Sequence, residues 1–280
     1  ELDIYETGQV RCTINSAEDI NLLEGYGHQN SIHIMAHLKI DTGMGRLGIR
    51  YEEIDSMLVK LSESKHIEVE GVYSHFSTAE EKDTKYRDWQ LKRFKEVIDK
   101  TKTILPQVEY FHMANSAAVL TCSESHFNMV RPGISLYGVT PLGKPHDHLL
   151  PVMRMKAPVT IIKDFNTGES VGYNRQYMTK QNEKIAILQA GYADGIPVEF
   201  SNRGEVEIEG NIYPIVGKVS MDLVTIRCRD QELTAGQEAI FWGSDDMNLR
   251  LETLAGKFEK TIYEFLTGVT KRVKRHYIHE

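Results

Sequence analysis

Between residue 10 and about residue 147, short β-branched runs alternate with helical stretches, and this alternation restricts the fold more than any other feature. Residues 10–14 read as a strand, 17–23 as a helix and 32–40 as a second strand. In the second strand Ile32, Ile34, Ala36, Leu38 and Ile40 share one face, while His33, Met35, His37, Lys39 and Asp41 share the other. Ile54, Leu58 and Leu61 then recur at helical spacing, and 67–75 returns to strand. A long helix carries Trp89, Phe94, Val97 and Ile98, and the series closes with strands at 108–113 and 127–130. Strands alternating with helices make parallel βαβ units covered on both faces. About five such units fit either an open doubly wound sheet or a (β/α)8 barrel without its first three.

After about residue 148 the texture changes. Short runs at 159–163, 184–188, 205–208, 212–216 and 223–227 are separated by turns such as Asn166-Thr167-Gly168 and Glu209-Gly210-Asn211. This predicts a mostly antiparallel β domain over 148–280 with a small helix near 251–260. The stretch 141–151, with Pro141, Pro145 and Pro151, is the expected junction. The expected class is thus α/β over 1–147 followed by a β domain. No run approaches ~18 apolar residues, so no membrane segment is expected.

Charge narrows the partners. Thirty-three Lys and Arg against 40 Asp and Glu leave a net charge of -7, which does not favour a nucleic-acid partner. The basic cluster Lys271, Arg272, Lys274 and Arg275 reads as a solvated face. Cys12, Cys122 and Cys228 are scattered and odd in number, which suits a reducing cytoplasm rather than a disulfide framework.

Parallel sheets bind ligands at the carboxyl ends of their strands. Those ends carry Lys39 through Gly48, then Ser74-His75-Phe76-Ser77, His112-Met113-Ala114-Asn115-Ser116 and Val130-Arg131-Pro132-Gly133. Each supplies a cation, an amide or a hydroxyl. Singly, each has a bland explanation: a lone His75 is more often a satisfied core histidine, and Arg131 beside Pro132-Gly133 can simply bond a turn carbonyl. Lys39 points inward, where an unpaired ammonium is costly and must be neutralised, paired or modified. Four consecutive strand ends of this kind suit an anionic, planar ligand bearing a phosphate.

These segments, together with Ala114-Asn115-Ser116-Ala117-Ala118, Gly191-Tyr192-Ala193-Asp194-Gly195 and Val216-Gly217-Lys218-Val219-Ser220-Met221-Asp222, resemble the alanine racemase family in order and spacing. The resemblance implies a barrel followed by a β domain, pyridoxal 5'-phosphate as cofactor, a small amino acid as substrate and a homodimer with shared active sites. It implies that Arg131 faces the pyridine nitrogen, and that Ser116, Asn115, the backbone at Gly133-Ile134 and Tyr263 hold the phosphate. Arg46 would meet the cofactor's phenolic oxygen and the substrate carboxylate, oriented by Lys39 if that lysine is carbamylated. His75 would connect Arg131 to a catalytic Tyr173, while Tyr192, Met221 and Asp222 would line the substrate entrance, with Tyr173, Tyr192 and Met221 coming from the second subunit.

No Lys-Ala-Asn-Ala-Tyr-Gly-like motif occurs in the sequence, so the family's cofactor-binding lysine has no counterpart here. The sequence starts near the family's fourth strand, in agreement with the count of five units. The expectation is that the first three units are missing and that these 280 residues alone are inactive. Two alternatives to alanine racemisation are a serine racemase of the same family and an inactive fragment or scaffold. A pyridoxal-phosphate homeostasis protein shares the barrel but lacks the β domain.

Overall fold

The computed structural model describes residues 2–228 and 232–278, in two compact units, 1–133 and 134–280. The first unit runs β1 (Cys12–Ile14), α1 (Ala17–Asn30), β2 (Ile34–Asp41), β3 (Ile49–Arg50), α2 (Ile54–Ser62), β4 (Ile67–Tyr73), α3 (Lys85–Ile104), β5 (Tyr110–His112) and α4 (Ser116–Thr121). The main strands are all parallel and pair in the order β1-β2-β4-β5, with the short β3 paired to the end of β2. Successive strands are therefore neighbours with no reversal of order. A doubly wound sheet needs such a reversal at its switch point; a barrel does not. The architecture is that of part of a (β/α)8 barrel.

The helices form where the apolar spacing predicts them. Ile54, Leu58 and Leu61 are buried along α2, and Leu91, Phe94, Val97 and Ile98 along α3. Trp89 leaves this stripe: it is 41% exposed and packs on Tyr86 and the Arg93 guanidinium instead. The strand expected at 127–130 shrinks to a single parallel bridge between His112 and Met129. Two local causes are visible. Phe127 takes a left-handed φ of 47°, and the Asn128 side chain replaces the ladder, accepting from Phe111 N–H at 2.8 Å and donating to the Glu109 carbonyl at 2.6 Å.

The second unit contains β6 (Met155–Phe165), β7 (Ser170–Val171), β8 (Tyr177–Met178), β9 (Glu183–Leu188), β10 (Glu205–Ile208), β11 (Asn211–Pro214), β12 (Val224–Arg227), β13 (Glu238–Trp242), α5 (Leu251–Phe258) and α6 (Ile262–Gly268). Six of the strands form one antiparallel sheet in the order β11-β10-β13-β6-β9-β12. Its core is aromatic, with Phe200, Tyr213, Phe241, Trp242 and Phe265 fully buried. The β13 strand and α6 are additions to the elements expected from the sequence. The junction expected at 147/148 falls inside this unit, because Val139 lies in its core and the Thr140 N–H donates to the Glu252 carboxylate at 3.1 Å. No helix among the described residues is long and apolar enough to cross a membrane.

Candidate functional site

The carboxyl ends of β2, β4 and β5 carry the chemistry of the first unit. After β2 the chain winds around one carboxylate: Asp41 Oδ1 accepts the N–H groups of Gly43, Met44 and Gly45 at 2.9, 2.8 and 3.1 Å. Burial works against that charge, yet the three N–H donors hold the carboxyl below its ordinary value. Gly43 has a φ of 138°, and a side chain there would also meet the Trp89 ring at 2.5 Å. The loop carries Arg46 out at its exposed tip. Lys39 lies two residues before Asp41 on the same face of β2 and is buried, 5.7 Å from the centre of the Tyr73 ring. Burial and the nearby Arg46 and Arg131 guanidinia push its ammonium below the usual lysine value.

Arg131 is the hub. Its backbone N–H bonds the Ala114 carbonyl at 3.0 Å, which brings the guanidinium beneath β4 and β5. Nη1 donates to His112 Nδ1 at 2.6 Å; Nη2 donates to the Ser74 carbonyl at 2.8 Å and approaches His75 Nδ1 at 3.3 Å. One arm thus has the carbonyl partner of the bland expectation, and the other is held by a histidine ring. Among the described residues no Asp or Glu forms an ion pair with Arg131 or Lys39. Burial, with Arg131, Arg46 and Lys39 adding to it, pushes the His75 pKa down to about 4. Burial and Arg131 take His112 to about 3. Both rings are neutral at pH 7.

These shifts have a measurable sign. An unfolded histidine binds its proton near pH 6.5. Between that value and about 4 the unfolded chain binds more protons than the folded one, so stability is complete above about pH 6.5 and falls as the pH drops through 4. Urea midpoints measured across that range should decline toward acid, and His112→Gln should flatten the slope. An unchanged slope in that variant would count against the assignment.

At the end of β5, Asn115 caps α4, its Oδ1 accepting the Ala118 N–H at 3.0 Å. Ser116 is buried, and its Oγ accepts the Gly133 N–H at 2.8 Å, tying the two strand-end segments together. A Cβ added to Gly133 would meet only Ser116 Oγ, at 3.9 Å, so space is open above this pair. His112, which bonds both Arg131 and His37, was given no role by the sequence pattern. Its position at a strand end beside Asn115-Ser116 was the available signal.

Ile134 begins the second unit, where Ile134 itself is buried in the core. Tyr173 follows Gly172 (φ 74°) and precedes Asn174 and Arg175 (φ 57° and 51°), a left-handed run that lifts the ring to 66% exposure. Tyr192 and Met221 sit on two loops laced together: Tyr192 N–H bonds the Ser220 carbonyl and Ala193 N–H the Met221 carbonyl, each at 3.0 Å. Arg272 closes the pair, donating to Asp222 at 2.6 Å and standing 3.6 Å from Asp194. The C-terminal basic cluster, expected to be a solvated face, is in this part a clamp. Tyr263 projects from α6 at 50% exposure.

The first unit is barrel-type with cationic side chains at its strand ends, and the second is an antiparallel β unit. Residues 1–141 match the alanine racemase N-terminal domain and residues 152–277 the C-terminal domain. The alanine racemase of Vesicomyosocius okutanii is 39% identical over 236 residues, covering 84% of this chain and 65% of the relative. The chain therefore spans just under two thirds of that relative's length. Among solved structures, alanine racemase from D-cycloserine-producing Streptomyces lavendulae superposes with a TM-score of 0.89 at 30% identity, covering 99% of this chain and 75% of that one. Alanine racemase from Bartonella henselae, solved with covalently bound pyridoxal phosphate, gives 0.87 at 29% identity, with the same 99% and 75% coverage. The chain belongs to the alanine racemase family.

Proposed function

We propose that this protein interconverts L- and D-alanine in the cytoplasm, as a homodimer that uses pyridoxal 5'-phosphate. The observation that carries this reading is the surplus of positive charge at the strand ends. Arg46, Lys39 and Arg131 all act on His75, and no carboxylate pairs with Arg131 among the described residues. A buried cation without a counter-charge is expensive, so the site is built to receive an anion. Pyridoxal phosphate carries a phosphate and a phenolate, and the substrate adds a carboxylate. The donor set fits.

In this reading Ser116, Asn115, the backbone of Gly133 and Ile134, and Tyr263 hold the phosphate. Arg131 points an N–H at the pyridine nitrogen; a guanidinium does not surrender its proton, so the nitrogen stays unprotonated. When bound, the cofactor supplies an electron sink for the pair left behind at the α-carbon. Arg46 orients the substrate carboxylate. Tyr173 holds or moves the proton on one face of the α-carbon, and Tyr192, Met221 and Asp222 restrict entry to small side chains. Tyr173, Tyr192 and Met221 serve the site of the second subunit.

Lys39 has a specific part. Its lowered pKa leaves more free amine to combine with carbon dioxide, and the resulting carbamate anion would face two guanidinia. Incubation with 13C-bicarbonate should give a carbamate carbon resonance that Lys39→Met abolishes; a spectrum without that resonance removes the modification.

The deciding assay is racemisation by the natural full-length protein, alanine against serine. Loss of optical activity from L-alanine, faster than from L-serine, is expected. Faster serine turnover would assign the related serine racemase activity instead, since one hydroxyl is a modest difference for a pocket to enforce. The 280 residues assayed alone are expected to be inactive, because none of their lysines stands in the family's cofactor-binding motif.

A further inference from the structure

Behind Arg131 lies a chain of polar side chains that the proposed chemistry does not use. His112 Nδ1 faces Arg131 Nη1 at 2.6 Å, and its other nitrogen, Nε2, faces His37 Nδ1 at 2.8 Å. His37 Nε2 in turn stands 3.6 Å from Glu70 Oε2, and Glu70 receives both Arg11 Nε, at 2.6 Å, and Arg11 Nη2, at 3.1 Å. The line thus joins side chains of β5, β2 and β4 to Arg11, which directly precedes β1. Tyr73 stacks on His112 with ring centroids 4.8 Å apart and planes 6° from parallel, which fixes that ring's plane.

The direction of every link follows from which atoms can donate. Arginine has no acceptor, so His112 Nδ1 must present its lone pair to Arg131. Burial keeps His112 neutral, with one proton, which then sits on Nε2 and is donated to His37 Nδ1. A neutral His37 carries its own proton on Nε2, toward the Glu70 carboxylate. At 3.6 Å that contact is too long for a good hydrogen bond. The field still decides: an N–H facing an anion is favoured and a lone pair facing one is repelled. The two ends of the chain, a donor-only cation and an acceptor-only anion, demand the same pair of tautomers.

We infer that Glu70 is a positioning residue for Arg131, acting through His37 and His112 to keep a lone pair on the protein side of the guanidinium. This rests on the proposed function only for its consequence in turnover. With its inner arm held by His112, Arg131 is fixed in the orientation it offers to the ligand. Arg11 holds Glu70 from its other side and also bonds the Gly8 carbonyl.

Charge reversal at the far end tests this. Glu70→Lys places a donor against His37 Nε2, so His37 must carry its proton on Nδ1, against the Nε2–H of His112. One link has to break or His112 has to present an N–H to Arg131. Glu70→Gln keeps an acceptor oxygen and should preserve the order. The swap Arg11→Glu with Glu70→Lys restores the surface ion pair but not the direction. In 15N-histidine-labelled full-length protein, His37 and His112 are expected to show single tautomers in the parent and in Glu70→Gln, and altered ones in Glu70→Lys and in the swap. In the holoenzyme, kcat should fall on the order of tenfold for the last two, with KM within about twofold. Unchanged tautomers in Glu70→Lys, or their restoration by the swap, would overturn the inference. The NMR readout needs no turnover, so a protein that racemises nothing would refute the proposed function without touching this result.

Discussion

Tyr173→Phe is expected to lower kcat for alanine racemisation by about 10²–10⁴, the range over which a positioned acid–base group contributes, while KM changes little. The ring is 66% exposed, so removing its hydroxyl takes no packing from the β unit, and thermal stability should be that of the parent. What the loop provides is presentation. Gly172 at φ 74° and the left-handed Asn174 and Arg175 make a turn that cannot bury its first side chain. That conformation is readily adopted by Asn and costs more for Arg. The loss should also be one-sided. A racemase needs a base on each face of the α-carbon, so in deuterium oxide Tyr173→Phe should still exchange the α-hydrogen of one enantiomer while barely exchanging the other. Exchange lost equally for both, or an undiminished racemisation rate, would remove Tyr173 from the chemistry.

Periodicity made most of the scaffold legible. The alternation of Ile34, Ala36, Leu38 and Ile40 against Met35, His37 and Lys39 specified β2 and the side on which its polar groups lie. Chain order could not distinguish a barrel from a doubly wound sheet; that required pairing partners, such as Leu38 opposite Val72 and Val72 opposite Phe111. Strand 127–130 failed because the Asn128 side chain supplies the hydrogen bonds that a ladder would have made. The capping box at Thr261 and Glu264 is a sequence signal for α6 that apolar spacing alone did not expose. At the site, single strand-end residues such as His75 and Arg131 could be picked out by position. The His37–His112 contact could not, because the two rings are 75 residues apart and meet only through parallel pairing across β4. Arg272 looked like one charge in a solvated run for the same reason: its partners Asp194 and Asp222 are brought to it by loops.

Gly191→Ala should be among the most destabilising single-methyl changes in the β unit. Gly191 has an extended φ of -150°, which any residue can adopt, so its glycine is required by space and not by conformation. A Cβ there would lie 2.3 Å from both the Ser220 and the Met221 carbonyl oxygens. Those oxygens accept the Tyr192 and Ala193 N–H groups, so neither can retreat without losing a backbone hydrogen bond. Opening the contact would separate the loop of Tyr192 from the loop of Met221 and Asp222. An overpacking cost of about 1–3 kcal/mol together with two weakened hydrogen bonds at about 1 kcal/mol each comes to about 3–5 kcal/mol. At about 2–4 °C per kcal/mol for a chain of this size, that is a Tm lower by roughly 10 °C. Gly256→Ala is the control. It lies inside α5 with nothing within 4 Å of the added methyl, and Ala is the better helix former by about 1 kcal/mol, so this variant should melt slightly higher than the parent. If both variants melt alike, the close approach of the two loops is not what holds Tyr192 and Met221 in place.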